Sequence, residues 1–259
     1  MAKTTVAQQL AEAAMDKKKQ TWQELVPKRY HRHGKVFSEE ASECFPDRQP
    51  WDYAIELKDN TPTSINCCVY PLSPKEKEEQ HKFLSQNLHL QWIRHLKSPY
   101  ASGFFLIRKK DGKFCPVQDY RDLNKWTIPN KYPLPLILEL IYDLTEKRLF
   151  SKFDICWGYN NICIKEGNEY KAAFKTSEGL FELTVMFFGL TNSPATFQTM
   201  MDDIFQEEVA QGWLCIYMDN MIIATEDDEV LHELHVNHIL DKLEKFDLFL
   251  KPEKCKFHQ

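Results

Sequence analysis

The sequence predicts an α+β fold with helices packed on one face of an antiparallel sheet. Two hairpin signals predict the sheet, because Asp111-Gly112 and Asp219-Asn220 each separate two strand-like runs. Segments with the apolar spacing of amphipathic helices are interspersed with these hairpins, and that mixed order favours an α+β fold. With 259 residues, 43% of them hydrophobic, the chain can bury the core of one large or two small domains.

The N-terminal residues 1–69 are predicted to be a connector. A helix is expected over about 4–26, and a polar stretch with several prolines and little periodicity follows it. The N-terminus lacks the apolar core of a signal peptide, and no run reaches the roughly 18 apolar residues of a membrane span. We therefore expect an intracellular protein, cytoplasmic or nuclear, with no membrane partner.

From residue 70 onward the local signals are sharper. Ser73-Pro74 is a helix start with serine as the N-cap, and it predicts a helix over Lys75 to Leu90. Phe104 to Lys109 and Lys113 to Tyr120 are predicted to form the first hairpin, with Pro116 restricting the second strand to a sheet edge. Lysines crowd the hairpin tip, where they either reach a polyphosphate or keep the edge soluble. These lysines are Lys109, Lys110 and Lys113.

The remainder of the chain is predicted to contain three helices, one short strand and a second hairpin. The strand runs from Leu149 to Asp154 and ends in a carboxylate. The second hairpin pairs Trp213 to Met218 with Met221 to Thr225. The helices follow Pro135, open at Asn192-Ser193-Pro194, and run from about Asp228 to Phe246. Their predicted inward faces comprise Ile137, Leu140, Ile141 and Leu144, then Phe197, Met201, Ile204 and Phe205, then Val236, Ile239, Leu240, Leu243 and Phe246.

Charge is distributed unevenly along the chain. The net charge of −5 argues against a simple electrostatic binder of nucleic acid. Residues 94–131 carry nine Lys or Arg against three Asp, whereas residues 200–230 carry nine Asp or Glu and no Lys or Arg. A basic lobe and an acidic lobe suit an enzyme that grips phosphates on one side and metal ions on the other. Two solvated surfaces are the alternative interpretation.

The cysteines and histidines do not predict a zinc site. None of the eight cysteines forms a pair with C-x2-C or C-x4-C spacing, and an intracellular setting argues against disulfides. His232, His235 and His238 recur at helical spacing, so a metal is conceivable there. Packing is the favoured role, because His232 and His235 continue the apolar stripe of the last helix.

Two carboxylates are expected to meet where two strands end. Asp219 lies at the tip of a buried hairpin, and Asp154 closes a separate short strand. If these strands are neighbours, two like charges come together and require a cation between them. Magnesium suits such a pair, since it binds one or two carboxylates plus substrate phosphates, and two such ions can assist phosphoryl transfer. Acidic hairpin tips are common, so an ordinary solvated turn is the alternative.

Eight sequence blocks stand in a characteristic order. They are Tyr70 to Pro74, Lys109 to Gly112, Asp119 to Asn124, Tyr132 to Pro135, Phe150 to Asn161, Phe187 to Gln198, Tyr217 to Asn220, and Lys251 to Cys255. Over roughly 50–259, the chain with these blocks resembles the reverse transcriptases of Gypsy-type long-terminal-repeat retrotransposons. FGLTNSPATFQ, within the sixth block, looks like a signature of that family, and so many blocks in order are highly specific.

This resemblance implies a right-hand polymerase with fingers over 70–150 and a palm over 151–259, truncated before a thumb or an RNase H segment. It implies template-directed extension of a primer on RNA or DNA with deoxynucleoside triphosphates and two Mg²⁺ ions. The implied catalytic positions are Asp154, Asp219 and Asn220, with Asp154, Asp219 and Ile155 as metal ligands. The implied substrate-binding positions are Lys109, Lys110, Cys115, Ile155, Cys156, Trp157, Gly158, Tyr159 and Phe188. Tyr159 would exclude a ribose 2′-hydroxyl, Arg121 would lie near the template, and Lys254 would donate a proton to pyrophosphate.

The chain departs from the family pattern at informative positions. Asn220 replaces the second aspartate of the Tyr-x-Asp-Asp box, which removes a full charge beside the metals and predicts a rate lower by orders of magnitude. Cys115 replaces an arginine expected to reach the triphosphate, at a cost of about 10- to 100-fold. Cys156 and Cys163 also replace arginine, and Gly103 replaces proline. The alternative hypothesis is therefore a non-catalytic retroelement remnant that acts at most as a nucleic-acid- or protein-binding module.

Overall fold

The structure, a computed structural model, describes residues 20–109 and 112–259. Its helices are α1 (Trp22–Leu25), α2 (Glu39–Ser42), α3 (Pro74–His89), α4 (Arg121–Trp126), α5 (Ile137–Asp143), α6 (Ser193–Ala210) and α7 (Glu229–Lys245). Segments of 3₁₀ helix occur at Lys28–Phe37, Gly158–Asn161, Glu169–Ala172 and Pro252–Lys254. None of the described helices is both long enough and apolar enough to cross a membrane.

The described strands form four small sheets instead of the one sheet that the sequence predicted. The strands are β1 (Ile65–Asn66), β2 (Ile93–His95), β3 (Tyr100–Ala101), β4 (Gly103–Arg108), β5 (Phe114–Asp119), β6 (Leu149–Asp154), β7 (Phe174–Thr176), β8 (Gly179–Leu183), β9 (Leu214–Tyr217) and β10 (Asn220–Thr225). The sheet orders are β6-β10-β9, β2-β8-β7, β4-β5 and β1-β3, and β1-β3 is the parallel one. Helices combined with largely antiparallel pairing confirm the α+β class.

The β6-β10-β9 sheet has one face packed against helices and one more open face. Side chains alternate along the strands, so Phe153 and Met221 are completely buried, whereas their neighbours Lys152 and Ile222 are exposed and half-buried. Helix α7 lies against the buried face, where His232 hydrogen-bonds to side chains of both β6 and β10. The end of β6 therefore presents its last residue on the open face.

Three helices and the first hairpin confirm the sequence-based expectations. Helix α3 begins after Ser73, whose side chain caps it in a capping box with Glu76, and α7 begins after the N-cap Asp228. The apolar stripes of α6 and α7 are buried, apart from Phe246, which is half-buried. Strands β4 and β5 pair with each other alone among the described strands, which agrees with an edge position for Pro116.

Several elements differ from expectation, and four of the differences concern predicted helices, the second hairpin or an unpredicted helix. Of the helix expected over 4–26, only α1 is present within the described residues, and residues 1–19 lie outside them. Helix α5 exists, but none of its residues is buried, so its predicted inward face is uncovered. Asn220 is the first residue of β10 and pairs with Tyr217, so the turn comprises Met218 and Asp219, one residue earlier than predicted. Helix α4 was not predicted.

The segment Lys28–Phe37 packs against the C-terminal part of the chain. Tyr30, Val36 and Phe37 are completely buried or nearly so, and the Leu250 amide donates to the Val36 carbonyl at 2.8 Å. Tyr30 also hydrogen-bonds to His258 at 2.5 Å. Part of the predicted connector therefore contributes to the hydrophobic core around β6 and α7.

Candidate active site

Asp154 lies directly across the sheet from Asn220. The register pairs Asn220 of β10 with Asp154 of β6 on one side and with Tyr217 of β9 on the other. Directly paired residues of antiparallel strands project to the same face, with Cβ atoms about 5 Å apart. Asp154, Asn220 and Tyr217 thus form a row across the end of the open face, and Asp154 is only 5% exposed.

Asp219 is held beside this row by its backbone and its side chain. Its carbonyl accepts a hydrogen bond from the Ile155 amide at 2.8 Å, which ties the hairpin turn to the residue after Asp154. A Cβ on Gly158 would lie 3.5 Å from the Asp219 Cβ, so the 155–158 segment passes close to this side chain. Asn220 Nδ2 donates to Asp219 Oδ1 at 3.0 Å. The two carboxylates that the sequence singled out therefore come from adjacent ends of paired strands.

Two lysines neutralise Asp154. Lys254 Nζ lies 3.4 Å from Oδ1 and 3.2 Å from Oδ2, and Lys251 Nζ lies 3.6 Å from Oδ1. Both lysines belong to the segment around Pro252–Lys254, which is anchored by the Lys251 amide donating to the Asp154 carbonyl at 2.9 Å. Lys254 was a predicted site residue, whereas Lys251 had no predicted role.

The oxygen atoms around Asp154 and Asp219 fit a hard divalent cation. Carboxylate and carbonyl oxygens are the ligands of Mg²⁺, and the Ile155 carbonyl belongs to the residue whose amide is bonded to Asp219. No group of three or more His, Cys, Asp and Glu is assembled within the described ranges. The Asn220 amide supplies one neutral oxygen where a third carboxylate would add charge.

The first two amides of the backbone from Ile155 to Gly158 are hydrogen-bonded within the chain. The Ile155 amide is bonded to Asp219, and the Cys156 amide donates to the Phe249 carbonyl at 2.6 Å. Trp157 has a left-handed backbone with φ of 53°, and Gly158 begins a 3₁₀ helix. Consecutive amides around a left-handed residue form a concavity that suits an anion. Of the predicted triphosphate segment, Trp157 and Gly158 thus retain the capacity to bind phosphate through the backbone.

The side chains of Cys156 and Trp157 point away from that concavity. Trp157 Nε1 donates to Ser42 Oγ at 3.2 Å, and the indole makes an edge contact with Trp92, with ring centroids 5.4 Å apart. The Cys156 thiol also lies against Ser42, at 3.8 Å, and burial raises its pKa. Ser42, the last residue of α2, therefore contacts this turn through the side chains of Cys156 and Trp157.

Tyr159 and Phe188 form an aromatic pair beside Asp219. Their ring centroids lie 4.7 Å apart, and Tyr159 also makes an edge contact with Phe197 at 5.8 Å. Burial, with a contribution from the nearby Asp219 charge, raises the pKa of Tyr159 to about 12, so the phenol is neutral at physiological pH. Phe188 is 73% exposed and is presented by Gly189, whose φ of 97° requires glycine.

The residues predicted to form a fingertip lie on the separate β4–β5 hairpin. Lys109 is exposed at the end of β4, Cys115 of β5 pairs with Ile107, and Lys110 lies outside the described residues. Arg121 is exposed and makes a bidentate pair with Asp119 at 2.8 and 2.6 Å, which lowers the pKa of the Asp119 carboxyl. These positions thus lie on the β4–β5 hairpin and at the start of α4, elements that carry neither carboxylate of the pair.

The three helical histidines do not gather around a common point. His232 is completely buried between Ser151 and Thr225, and His235 stacks on Trp213 with ring centroids 3.9 Å apart. His238 faces Glu208 at 2.7 Å. The favoured interpretation as packing residues is confirmed for His232 and His235.

Sequence reasoning missed several side chains that support the site. Gln198 of α6 is completely buried and accepts a hydrogen bond from the Met218 amide at 3.1 Å, and Ser42 and Lys251 act as described above. Gln198 and Lys251 were visible as members of the FGLTNSPATFQ and Lys251 to Cys255 blocks. Ser42 carried no signal, because it lies far along the chain from the turn that it supports.

Residues 107–259 match the family described as reverse transcriptase (RNA-dependent DNA polymerase). The match covers more than half of the sequence, so the chain belongs to the reverse transcriptase family and is an RNA-directed DNA polymerase by family. Families of this kind use divalent metal ions, which agrees with the oxygen-rich strand ends.

Among individual proteins, the chain is similar to transposon polyproteins of Schizosaccharomyces pombe. It is 36% identical over 190 residues to the Transposon Tf2-7 polyprotein and 35% identical over 190 residues to the Transposon Tf2-3 polyprotein. Each alignment covers 73% of this chain and 14% of the relative, so the chain spans a small part of the length of these polyproteins. The predicted retrotransposon reverse transcriptase is confirmed.

The fold matches solved structures of foamy viral protease-reverse transcriptase. The complex of that protein with an RNA/DNA hybrid superposes with a TM-score of 0.79 at 17% identity, covering 99% of this chain and 34% of the other. A complex with dsDNA gives a TM-score of 0.77 at 18% identity, covering 100% and 53%. At this level of identity the likeness establishes the fold, which is the predicted polymerase fold.

Proposed function

We propose that the chain comprises the fingers (70–150) and palm (151–259) of a retrotransposon reverse transcriptase and that Asp154 and Asp219 form its nucleotidyl-transfer site. The supporting observation is the strand register. It sets Asp154 opposite Asn220, and the hydrogen bond from the Ile155 amide to the Asp219 carbonyl brings the second carboxylate to the same strand end. A primer on an RNA or DNA template and deoxynucleoside triphosphates are the proposed partners, which implies work inside the cell in the cytoplasm or nucleus.

Asp154, Asp219 and the Ile155 carbonyl are the proposed ligands of two Mg²⁺ ions. When bound, such ions lower the pKa of a primer hydroxyl and stabilise charge on the leaving pyrophosphate. The backbone amides around the left-handed Trp157 are proposed to hold a phosphate, and the fingertip Lys109 and Lys110 are proposed to bind the outer phosphates. Lys254, which contacts Asp154, is proposed to donate a proton to the leaving group, and Arg121 to contact the template.

Tyr159 is proposed to lie under the incoming sugar. Its ring is fixed between Phe188 and Phe197, so it cannot swing aside to accommodate a 2′-hydroxyl. Phe188 projects into solvent beside it and offers a face for a nucleobase. This arrangement favours deoxyribonucleotides over ribonucleotides.

Asn220 is proposed to limit the reaction. It keeps the shape of an aspartate, but it donates to Asp219 Oδ1 and so occupies one of the oxygen lone pairs that a cation would use. It also gives the strand end one negative charge fewer than an aspartate at this position would. Cys115 on β5 removes a further positive charge from the fingers.

A non-catalytic binding module is the second candidate function. The two lysine contacts of Asp154 and the amide contact of Asp219 favour it, because they satisfy both carboxylates with groups of the chain itself. In that case the fold would retain nucleic-acid or protein binding without nucleotide incorporation.

Primer extension on an RNA template with Mg²⁺ separates these candidates. The variants are the parent chain, Asn220→Asp, and Asn220→Asp combined with Asp154→Asn or Asp219→Asn. We expect Asn220→Asp to raise incorporation at least about tenfold and either second change to abolish it. Retained hybrid binding with no incorporation in Asn220→Asp would instead support the binding module.

A further inference from the structure

Behind the β9–β10 turn lies a chain of three hydrogen-bonded side chains. Gln198 Oε1 accepts from the Met218 amide at 3.1 Å, and Gln198 Nε2 donates to Asp202 Oδ1 at 2.8 Å. Asp202 Oδ2 accepts from the Tyr132 hydroxyl at 2.7 Å. The chain thus joins the Tyr132 segment, helix α6 and the residue that precedes Asp219.

The direction of these bonds depends on Asp202. A carboxamide has an acceptor end and a donor end of nearly the same shape, so Gln198 fits its completely buried position in either orientation. An ionised carboxylate accepts only, and Asp202 therefore draws Nε2 towards itself and leaves Oε1 facing Met218. With Gln198 reversed, two donors would face each other at the Met218 amide.

The orientation of the Gln198 carboxamide matters because the backbone conformation of Met218 is unfavourable. Its φ of 56° is in the left-handed region, which non-glycine residues adopt only when surrounding contacts hold them there. The next residue is Asp219. A loss of the Met218 hydrogen bond would therefore release the turn that sets the Asp219 carboxylate against Asn220 and Gly158.

We propose that Asp202 and Tyr132 are positioning residues for the Asp219 turn, acting through the orientation of the Gln198 carboxamide. Asp202 fixes the amide, and the Tyr132 hydroxyl fixes the carboxylate of Asp202. The proposal rests on the proposed function only for its catalytic consequence, since the hydrogen-bond chain itself is independent of nucleotide and metal.

Hydrogen exchange at the Met218 amide tests this without any need for activity. The full chain is labelled with ¹⁵N-methionine, which gives six methionine amides after Met1, and the Met218 signal is assigned from its loss in Met218→Leu. We expect Asp202→Ala to accelerate exchange at Met218 about tenfold. Met200 and Met201, which are buried on the same helix as Gln198, are expected to keep their rates and so distinguish a local release from general destabilisation.

A conservative substitution at position 202 is expected to keep exchange at the Met218 amide slow. Asn at position 202 can accept from Gln198 and donate to the Tyr132 oxygen, so Asp202→Asn is expected to leave Met218 exchange within about threefold of the parent. Asp203, an exposed neighbour on α6, gives the matched control Asp203→Ala, which is expected to have no effect. Equal rates at Met218 in Asp202→Ala and the parent would overturn the proposal, as would an acceleration shared by Met200 and Met201.

If Asp202→Ala does not fold, a second pair of variants tests whether Asp202 orients the Gln198 carboxamide. Gln198→Glu sets two carboxylates against each other and is expected to accelerate Met218 exchange, whereas Gln198→Glu combined with Asp202→Asn restores a donor between them and is expected to slow it again. A double variant that exchanges as fast as Gln198→Glu would contradict the proposal. Absence of polymerase activity in every variant would count against the proposed function and leave this result intact.

Discussion

Asn220 stands directly opposite Asp154 across two neighbouring strands and donates its side-chain amide to Asp219. One residue therefore lies beside both members of the carboxylate pair. An amide at this position preserves the packing and the hydrogen bonding of the strand end while removing a negative charge. The fold around the site is accordingly expected to tolerate Asn220→Asp, which makes that change a clean probe of the site's chemistry.

Lys254 is expected to act as a substitute cation for Asp154 when no metal is bound. Lys254→Met leaves Asp154, which is 5% exposed, with Lys251 alone, so the chain should lose about 1 kcal/mol of stability in metal-free buffer. Addition of Mg²⁺ should recover more stability in this variant than in the parent. Thermal unfolding with and without Mg²⁺ measures both effects.

Lys256→Met is the control for this comparison. Lys256 is exposed, and its backbone pairs with Lys152 of β6, so its side chain is dispensable for the strand end. Identical behaviour of the Lys254 and Lys256 variants would show that Lys254 does not neutralise Asp154.

Tyr159 is expected to set the preference for deoxyribonucleotides. In the Asn220→Asp background, Tyr159→Ala should raise incorporation of ribonucleotides relative to deoxyribonucleotides at least about tenfold, a change of about 1.4 kcal/mol. Tyr159→Phe keeps the ring between Phe188 and Phe197 and should leave the ratio unchanged. Single-nucleotide incorporation assays give both ratios, and a Tyr159→Phe effect as large as that of Tyr159→Ala would refute a role for the ring.

The buried His232 is expected to make the fold sensitive to mild acid. Burial, reinforced by the neighbouring His258 and His235, lowers the pKa of His232 from 6.5 to about 4. Below pH 6.5 the unfolded chain gains a proton that the folded chain does not, so stability falls as the pH drops towards about 4 and levels off below it. The loss between pH 7 and pH 5 should be about 2 kcal/mol.

Urea unfolding at the two pH values measures this loss. His232→Gln should lower stability at pH 7 but reduce the difference between pH 7 and pH 5. His89→Gln changes an exposed histidine of α3 and should retain that difference. An undiminished difference in His232→Gln would assign the acid sensitivity to other groups.

Gln91 occupies a position that favours glycine. It follows α3 with φ of 60°, and its contacts are made by the backbone, since its amide donates to Leu88 and its carbonyl accepts from Thr184. Gln91→Gly should therefore stabilise the chain by about 1 kcal/mol, whereas Gln91→Ala should give no gain. Chemical denaturation compares the two, and equal stability of both variants would contradict the strain assigned here.

Local features of the fold were predictable from the sequence because short-range chemistry determines them. The capping box of Ser73 and Glu76 sets the start of α3, and the apolar stripes set the buried faces of α6 and α7. The two strand ends that carry Asp154 and Asp219 were predictable for the same reason. Their proximity required the pairing of β6 with β10, which the sequence left conditional.

Long-range features were not predictable from one sequence. The bond between Tyr132 and Asp202 joins residues 70 positions apart, and the bond between Ser42 and Trp157 joins residues 115 positions apart. Neither has a local signature. The uncovered apolar face of α5 shows the converse, because its periodicity specifies a helix but not whether anything packs against it.

Binding of Mn²⁺, followed by electron paramagnetic resonance, tests most directly whether positions 154, 219 and 220 share one cation site. The account predicts that Asn220→Asp binds Mn²⁺ at least about tenfold more tightly than the parent, since ligand charge sets the affinity of such sites. It also predicts that adding Asp154→Asn removes this gain. Equal affinity of the parent and Asn220→Asp, or tight binding that survives the loss of Asp154, would contradict it.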